Sequence, residues 1–380
     1  MILQRETRGR LLFFSLLTAA ARRFIECGNM KIIGKIGQFG DTRNMGSAPQ
    51  NRDAQISRKD FGAHSGCGSL QRKNVKILDC TLRDGGLVND SNFTAEFAAA
   101  VVSSCAQAGV DVVEVGFKNS RKFFSAEKYG AFRFCDEEIV LAAKGAANVK
   151  IAVLMDVFKC EPSELAPKKQ SAVDIVRCAF YATQISEALE VLETAAEKGY
   201  ETAACMMAAS TIEDGVLDEN LGRLCACGGV DTIYLMDSFG ALLPDKFALL
   251  ARKYSDAISA AGKKFGVHAH NNLQCAFANE LSAVSIGADV LDCTIGGLGK
   301  GAGNCPTELL VGALRGAKRA LSVVDVSQNL VESIKNKYRC ADYPQYMLTA
   351  LLNEHPRAAM NYFAENKKLS AAEFFESLGK

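Results

Sequence analysis

The chain of 380 residues is long enough for one large domain or two ordinary ones, and 48% of its residues are hydrophobic, as in a folded globular protein. Its 44 Lys and Arg stand against 43 Asp and Glu, a net charge of +1 that argues against a strongly basic nucleic-acid-binding protein. Its apolar runs are shorter than the roughly 18–20 residues that span a bilayer. We therefore expect neither a nucleic acid nor a membrane as a partner.

The first part of the chain differs from the rest in charge. Residues 1–72 hold 12 Lys and Arg against 5 Asp and Glu, whereas the remaining residues hold 32 against 38. This basic segment is rich in Gly, Ser, Asn and Gln and keeps no apolar period after Ile36, which predicts a disordered extension.

Residues 11–21 form an apolar stretch between arginines that resembles a secretory signal or an organellar transit peptide. The arginines that follow it fit a secretory signal poorly, and an upstream extension with Met30 or Met45 as the start is another interpretation. Many cysteines lie within apolar runs, and the chain has no CxxC pair. We therefore favour a reduced cytoplasmic protein, with export or organellar targeting by residues 1–30 as the alternative.

From Val75 onward, short β-branched apolar runs alternate with segments of helical spacing. The predicted strands are 75–81, 111–116, 149–155, 174–180, 201–207, 231–236, 264–270 and 289–295. The predicted helices include 93–108, 185–198, 245–261 and 273–286, which end at glycines that favour helix termination. This pattern predicts an α/β fold, a (β/α)8 TIM barrel over 73–320 with a helical region at 321–380. A doubly wound open sheet is the alternative.

The first predicted strand ends in the sequence TLRDGG at 81–86. Catalytic residues of such barrels lie at the carboxyl ends of the strands. Arg83 and Asp84 would therefore place a cation and a metal ligand side by side at this end of the barrel. Asp-Gly is also a common turn pair, so an exposed turn is the alternative interpretation.

The seventh predicted strand ends in HAHNN at 268–272. Residues i and i+2 of a strand face the same side, so His268 and His270 can point inward together. With Asp84 they would offer two nitrogens and one carboxylate to a divalent cation, for which we favour Mn2+ or Mg2+ over Co2+ or Zn2+. Two histidines that cap the next helix are the alternative.

The eighth predicted strand leads into a glycine-rich loop at 296–304. The loop matches the dinucleotide-binding fingerprint only formally, because it follows the last unit of a barrel pattern. We predict instead that its backbone approaches an anionic ligand, with Gly299 and Gly301 in substrate binding. Asn304 is either a further metal ligand or the cap of the next helix.

Charged residues also occur inside or beside the apolar strands. Glu114 lies in the second strand, where a buried carboxylate needs a partner, and Arg83 is the obvious one. Asp237 ends the sixth strand and is expected at the substrate. The loop at 118–133 is basic and suits either an anionic substrate or a solvated surface; its basic residues are Lys118, Arg121, Lys122, Lys128 and Arg133.

Four motifs resemble the metal-dependent lyase barrels of the hydroxymethylglutaryl-CoA lyase-like, or pyruvate carboxyltransferase-like, superfamily. They are LDCTLRDGG at 78–86, VEVGF at 113–117, HAHNN at 268–272 and GLGKGAGN at 297–304. The Arg-Asp-Gly-Gly sequence, and NEHP at 353–356 before Asn361 and Tyr362, are similar to the branch of 4-hydroxy-2-oxovalerate aldolase-like proteins.

The resemblance implies a carbon–carbon lyase that acts on a small 2-oxo acid, such as a 4-hydroxy-2-oxo acid, through a pyruvate enolate. It implies that Arg83 stabilises the enolate oxygen while Glu114 holds Arg83, and that the metal ligands are Asp84, His268, His270 and, in some branches, Asn304. An aldehyde dehydrogenase partner is expected from the resemblance alone, and a homo-oligomer is a further expectation.

One position departs from that pattern. The resemblance implies a histidine base three residues after the metal-binding aspartate, but Leu87 stands there. His355, Tyr181 after the fourth strand and a metal-bound water are the remaining candidates for a base, and Tyr181 is also expected at the substrate. Two alternative functions follow, an acyl-CoA-dependent Claisen-type lyase or synthase and a catalytically inert metal-binding barrel that acts as a partner subunit.

Overall fold

Eight parallel strands form a closed barrel in which each strand pairs with its neighbour in sequence. The computed structural model describes residues 75–338, 340, 344–365 and 367–379, so the predicted extension at 1–72 lies outside the described residues. The strands are β1 (Lys76–Asp79), β2 (Val112–Phe117), β3 (Lys150–Asp156), β4 (Ile175–Phe180), β5 (Glu201–Met206), β6 (Thr232–Asp237), β7 (Lys264–Ala269) and β8 (Val290–Cys293). Pairing of β1 with β8 closes the ring, so the TIM-barrel prediction is confirmed and the open-sheet alternative is wrong.

Seven helices surround the barrel. They are α1 (Ala95–Ala108), α2 (Glu137–Lys144), α3 (Ile185–Glu197), α4 (Asp214–Ala226), α5 (Pro244–Ala260), α6 (Ala276–Ile286) and α7 (Thr307–Arg315). The connection between β3 and β4 differs from the others, since it contains only the short 3-10 turns Pro162–Glu164 and Lys168–Gln170. Pro162 and Pro167 account for this difference, because proline lacks the N–H that the interior of an α-helix requires.

Further helices follow the barrel. They are α8 (Ala317–Val326), which continues through a π-helical turn into α9 (Glu332–Tyr338), then α10 (Pro344–Leu351), α11 (Arg357–Ala364) and α12 (Ala371–Ser377). Tyr346, Ala359 and Phe374 form a small apolar cluster that joins the last three helices. The predicted domain boundary after residue 320 falls inside α8 and stays a prediction. Among the described residues, no helix combines the length and apolar character needed to cross a membrane.

Alternation along the strands separates two apolar layers. Ile77 and Ile151 pack outward against the helices, whereas Leu78 and Leu154 belong to the cluster inside the barrel. The predicted burial of cysteines in apolar runs is confirmed, because Cys80, Cys178, Cys205 and Cys293 are buried. The cysteines in the described part of the chain are free thiols.

Candidate active site

Three residues predicted as metal ligands come together at the carboxyl ends of β1 and β7. Asp84, His268 and His270 each offer a ligand atom, and these atoms all lie within 4.8 Å of one another. Asp84 and His268 are buried and His270 is half-buried, with 3.4 Å between the Nε2 atoms of the two histidines. The spacing of two residues therefore turns both imidazoles to one side, toward the carboxylate.

The electrostatic environment gives two of these groups the protonation state that a cation needs. Burial opposes ionisation of Asp84, but Arg83, His270 and His268 outweigh it and hold the pKa of that carboxyl well below its usual value. Burial lowers the pKa of His270 to about 4, against the opposing charge of Asp84. At neutral pH the site therefore holds a carboxylate and a neutral imidazole, which are the ligand forms of these side chains.

Asn304 completes the same cluster. Its Nδ2 donates to Asp84 Oδ2 over 2.7 Å and to the Leu298 carbonyl over 3.1 Å. Its Oδ1 is buried and has no hydrogen-bond partner among the described residues. A buried amide oxygen without a partner, beside a carboxylate and two imidazoles, fits a divalent cation as the missing partner.

Arg83 pairs with Glu114, as the sequence analysis expects. Its Nε donates to Glu114 Oε2 over 2.6 Å and its Nη1 to Asp84 Oδ1 over 2.5 Å. Burial disfavours the charge, but Glu114 and Asp84 outweigh burial and keep the pKa of Arg83 above its usual value. Arg83 Nη2 is buried and has no hydrogen-bond partner within the described ranges of the chain, so this fixed cation retains an N–H that could donate to an oxyanion.

Sequence reasoning missed Arg177 in β4 and Asp292 in β8. Arg177 is fully buried; its Nη1 donates to Glu114 Oε2 over 3.0 Å and its Nη2 to Asp292 Oδ2 over 2.5 Å. Its guanidinium also lies 4.3 Å from the centroid of the Tyr234 ring. Both residues carry the signal that identified Glu114, a charge at a position facing the inside of the barrel in an otherwise apolar strand.

Asp292 extends this set of ion pairs to the metal-ligand cluster. Its Oδ2 lies 3.1 Å from His268 Nδ1. Burial opposes ionisation of Asp292, but Arg177 and His268 outweigh it and lower the pKa of the carboxyl. An ionised Asp292 accepts the Nδ1–H of His268, which leaves the Nε2 lone pair for a cation. We call Arg83, Glu114, Arg177 and Asp292 the strand-end network.

The cluster opens into a cavity of about 430 Å³, within the range of small-molecule sites. The predicted residues that line it are Arg83, Asp84, Tyr181, His268, His270 and His355. Leu87 also lines it and presents an apolar side chain where the resemblance implies a base. Tyr181 and His355 thus share the cavity with the metal-ligand cluster.

Gly299 and Gly301 lie elsewhere than expected. They line a neighbouring pocket of about 260 Å³, whereas Lys300, which lies between them in the sequence, lines both spaces, as do Leu87 and Tyr346. A Cβ at Gly299 would stand 2.5 Å from Asn304 Nδ2, so its missing side chain makes room for the metal-ligand cluster. The structure therefore supports a role for Gly299 in packing beside the cluster and does not bring either glycine to the main cavity.

Asp237 is also not brought to the cavity. Its side chain is buried, and its carboxylate accepts the N–H groups of Ala241 over 3.0 Å and Leu242 over 3.3 Å. Burial raises the pKa of Asp237 to about 6. The carboxylate therefore stabilises the loop after β6. The substrate contact expected from the sequence stays a prediction.

His355 reaches the cavity from the segment before α11. Its Nδ1 accepts the N–H of Arg357 over 3.0 Å, and its ring packs 5.3 Å from the centroid of Phe239. Burial lowers the pKa of His355, and the positive charges of Arg357 and Lys300 add to the effect. A neutral imidazole that accepts this N–H at Nδ1 carries its proton on Nε2, where it can donate a hydrogen bond.

Fold and site together define a class of protein, a (β/α)8 barrel with two histidines and one aspartate clustered at the carboxyl ends of its strands. Residues 74–335 match the HMGL-like family, and the chain belongs to this family. It is 34% identical to the 4-hydroxy-2-oxovalerate aldolase of Pelotomaculum thermopropionicum over 246 residues, 64% of this chain and 70% of that protein. It is 31% identical to the oxaloacetate decarboxylase of Mycobacterium tuberculosis over 256 residues, 66% of this chain and 73% of that protein.

Solved structures show the same fold. The carboxyl transferase domain of Rhizobium etli pyruvate carboxylase superposes with a TM-score of 0.60 at 16% identity, over 78% of this chain and 54% of that one. A Bacillus subtilis HMG-CoA lyase superposes with a TM-score of 0.55 at 17% identity, over 69% of this chain and 94% of that one. At these identities the likeness concerns the fold alone.

Proposed function

We propose that this protein is a divalent-metal-dependent carbon–carbon lyase that cleaves a small 2-oxo acid, such as a 4-hydroxy-2-oxo acid, through a pyruvate enolate. The observation that carries the proposal is the convergence of Asp84, His268 and His270 beside the Arg83 guanidinium in one cavity. Membership of the HMGL-like family and similarity to proteins named 4-hydroxy-2-oxovalerate aldolase support it.

The cation itself would be held by Asp84, His268 and His270, with the partnerless Oδ1 of Asn304 as a further oxygen donor. Two oxygen donors beside two imidazoles favour Mn2+ or Mg2+, in our proposal, over softer ions. When bound, such an ion supplies Lewis-acid polarisation of the 2-oxo group.

Arg83 would stabilise the negative charge that develops on the oxo oxygen as the carbon–carbon bond breaks. Its Nη2 has no hydrogen-bond partner in the part of the chain that the structure describes, while its Nε and Nη1 are fixed by Glu114 and Asp84. Glu114 is fixed in turn by Arg177. The donor is thus oriented before the reaction begins, which is the condition for effective electrostatic stabilisation.

His355 would orient the substrate through a hydrogen bond from its Nε2–H, while a water molecule supplies the proton that converts the enolate carbon to the methyl group of pyruvate. The resulting hydroxide would take up the proton lost by the 4-hydroxyl group. The Nδ1 of His355 is engaged by the Arg357 N–H, so its proton lies on the Nε2 that remains free for the substrate. The alternative role of His355 as the base stays a prediction. Tyr181 lines the same cavity and is proposed as a substrate contact.

A second candidate function is decarboxylation of a 2-oxo acid that carries a carboxylate on C3. Cleavage of a 4-hydroxy-2-oxo acid requires removal of the hydroxyl proton, whereas loss of CO2 leaves the same enolate without a base. Leu87 lines the cavity with an apolar side chain, and the imidazole of His355 would carry its proton on Nε2. One curated relative is named oxaloacetate decarboxylase.

The proposal also covers the partner, the oligomeric state and the cellular location of the protein. Cleavage of a 4-hydroxy-2-oxo acid releases an aldehyde, so an enzyme that consumes aldehydes, of the aldehyde dehydrogenase class, is the proposed partner. A homo-oligomer and a cytoplasmic location belong to the same proposal.

The decisive experiment follows exchange of the C3 protons of pyruvate in deuterated buffer by NMR, with Mn2+ or Mg2+ added to the purified protein. We expect metal-dependent exchange that Asp84→Ala and His270→Ala reduce by more than about 100-fold, together with metal affinity. Asp90→Ala, at an exposed residue that lines the same cavity, is the matched control and retains exchange.

Two outcomes decide against the proposal. Parent-like metal binding in both variants would show that the ligand assignment is wrong, and absence of exchange with every divalent ion would favour the inert barrel. Pyruvate release from 4-hydroxy-2-oxovalerate and from oxaloacetate then separates the two candidate reactions, because only the first requires a base.

A further inference from the structure

Arg133 is the one basic residue of the loop at 118–133 that lines the cavity. The others are engaged elsewhere: Lys118 and Arg121 lie 3.9 Å and 2.5 Å from Asp136, Lys122 lies 3.1 Å from Glu161, and Lys128 lies over the Tyr129 ring. Arg133 itself is only 5% exposed. Arg133 therefore faces the cavity, although the sequence alone does not distinguish it from the other basic residues of the loop.

The Arg133 guanidinium is held by aromatic rings and not by a carboxylate. Its Cζ lies 4.2 Å from the centroid of Phe117, 5.1 Å from that of Tyr129 and 5.2 Å from that of Phe124. These rings stabilise the cation, but a ring face is a poor substitute for an oxygen acceptor of the N–H groups. Arg133 Nε is buried and has no hydrogen-bond partner among the described residues. We call Phe117, Phe124, Tyr129 and Arg133 the loop wall.

The other charged residues of the cavity do not neutralise this cation at close range. Asp156 accepts from Asn119 Nδ2 over 3.1 Å and lies 4.0 Å from Lys159, whereas Asp90 is exposed. Lys300 also lines the cavity and is half-buried. In the described part of the chain, neither Arg133 nor Lys300 has a carboxylate within the 4.0 Å of an ion pair. Burial lowers the pKa of both groups, as expected of cations that have lost water without gaining a close counter-ion.

We propose that Arg133, assisted by Lys300, binds a second anionic group of the substrate, distinct from the 2-oxo acid end that faces Asp84 and Arg83. The inference rests on the proposed function and narrows it to 2-oxo acids that carry an additional carboxylate or phosphate. Arginine presents a planar set of N–H donors that matches both anions and can bind either through two hydrogen bonds. A substrate that ends in a methyl group would instead leave a buried guanidinium unpaired, at a cost in free energy.

The test compares the affinities of three 2-oxo acids that differ at the far end and lack the 4-hydroxyl group. They are 2-oxovalerate, 2-oxoglutarate and 2-oxo-4-phosphonobutyrate, titrated calorimetrically into the Mn2+-loaded protein. We expect at least one compound with a charged end to bind at least about tenfold more tightly than 2-oxovalerate, because only the anionic ends can accept charged hydrogen bonds from Arg133. The carboxylate and phosphonate compounds show which anion the site takes.

Variants assign the preference to Arg133. Arg133→Met should abolish it while changing 2-oxovalerate affinity by less than twofold, and Arg133→Lys should retain part of it. Arg121→Met, in the same loop but paired with Asp136 on the surface, is the matched control and should retain all of it. Lys300→Met should weaken the preference severalfold, which keeps the test decisive if thermal unfolding shows that Arg133→Met does not fold.

The proposal is overturned if no charged compound binds the parent protein more tightly than 2-oxovalerate, or if the preference survives in Arg133→Met. Because the titration needs no turnover, it separates the two proposals. A preference for charged compounds without any pyruvate release would contradict the lyase and leave the anion site standing, whereas release from uncharged substrates without a preference would do the reverse.

Discussion

The strand-end network and the loop wall both place arginines at the cavity, but only the network pairs them. Arg83 and Arg177 share Glu114 within 2.6 Å and 3.0 Å, and Arg177 also meets Asp292. Arg133 in the loop wall contacts aromatic rings and has no carboxylate at ion-pair distance among the described residues. Charges that the protein neutralises itself can orient reacting groups, whereas a charge left without a counter-ion requires a ligand. The proposed chemistry therefore belongs to the strand-end network and the proposed substrate selection to the loop wall.

The strongest test of the strand-end network removes the guanidinium of Arg177. In Arg177→Met, Glu114 and Asp292 would stay buried without Arg177, so we expect a loss of about 3–5 kcal/mol in the free energy of unfolding. Urea denaturation followed by circular dichroism measures this loss.

The matched control is Lys253→Met on α5, which breaks surface pairs of 3.0 Å with Asp214 and 2.9 Å with Asp218. This variant should lose less than about 1 kcal/mol, because surface ion pairs contribute little. Equal losses in the two variants would mean that the network is not a structural unit and that the contrast with the loop wall has no energetic basis.

A smaller effect is expected from Asp292→Asn, which keeps the shape of the side chain and removes its charge. Asp292 accepts from His268 Nδ1 and thereby directs the Nε2 lone pair to the metal-ligand cluster. Loss of such a partner typically weakens metal affinity by about 10–100-fold. Mn2+ titration monitored by electron paramagnetic resonance gives the affinity, and an unchanged value would remove Asp292 from the proposed metal site.

The contacts of the strand-end network are easier to predict from the sequence than those of the loop wall. Side chains of a strand alternate in direction, so a spacing of two residues suffices to place His268 and His270 on the same side. Arg83 follows β1 and Glu114 lies on the adjacent strand β2, and their pairing follows from the cost of burying either charge alone. The pairing of Arg177 with Asp292 joins residues 115 positions apart on strands that are not neighbours, and no local pattern specifies it.

Loops offer no such periodic rule. The direction of Arg133 depends on how the segment after β2 folds around Phe124 and Tyr129. Asp237 lies immediately before a turn, and its carboxylate accepts hydrogen bonds from N–H groups of that turn, which the sequence alone did not indicate. Sequence patterns therefore locate charged residues at the barrel mouth, but local backbone geometry decides which of them reach the cavity.

The smallest expected effect concerns the pH dependence of stability through Asp237. Burial raises the pKa of its carboxyl from 3.8 to about 6, so between these pH values the folded protein binds more protons at this site than the unfolded chain. The contribution of Asp237 to the free energy of unfolding should therefore fall as the pH rises from about 4 to 6, by at most about 1.4 kcal/mol for each pH unit. In Asp237→Asn this decline should disappear, so the stability of the variant relative to the parent should increase over that interval.

Urea midpoints of both proteins between pH 4 and 7 measure the difference, and a constant difference would show that this carboxyl is ionised in the folded protein throughout. An ionised Asp237 would show that backbone N–H groups can hold a buried charge without a counter-ion, which would weaken the argument that the unpaired guanidinium of Arg133 requires a ligand.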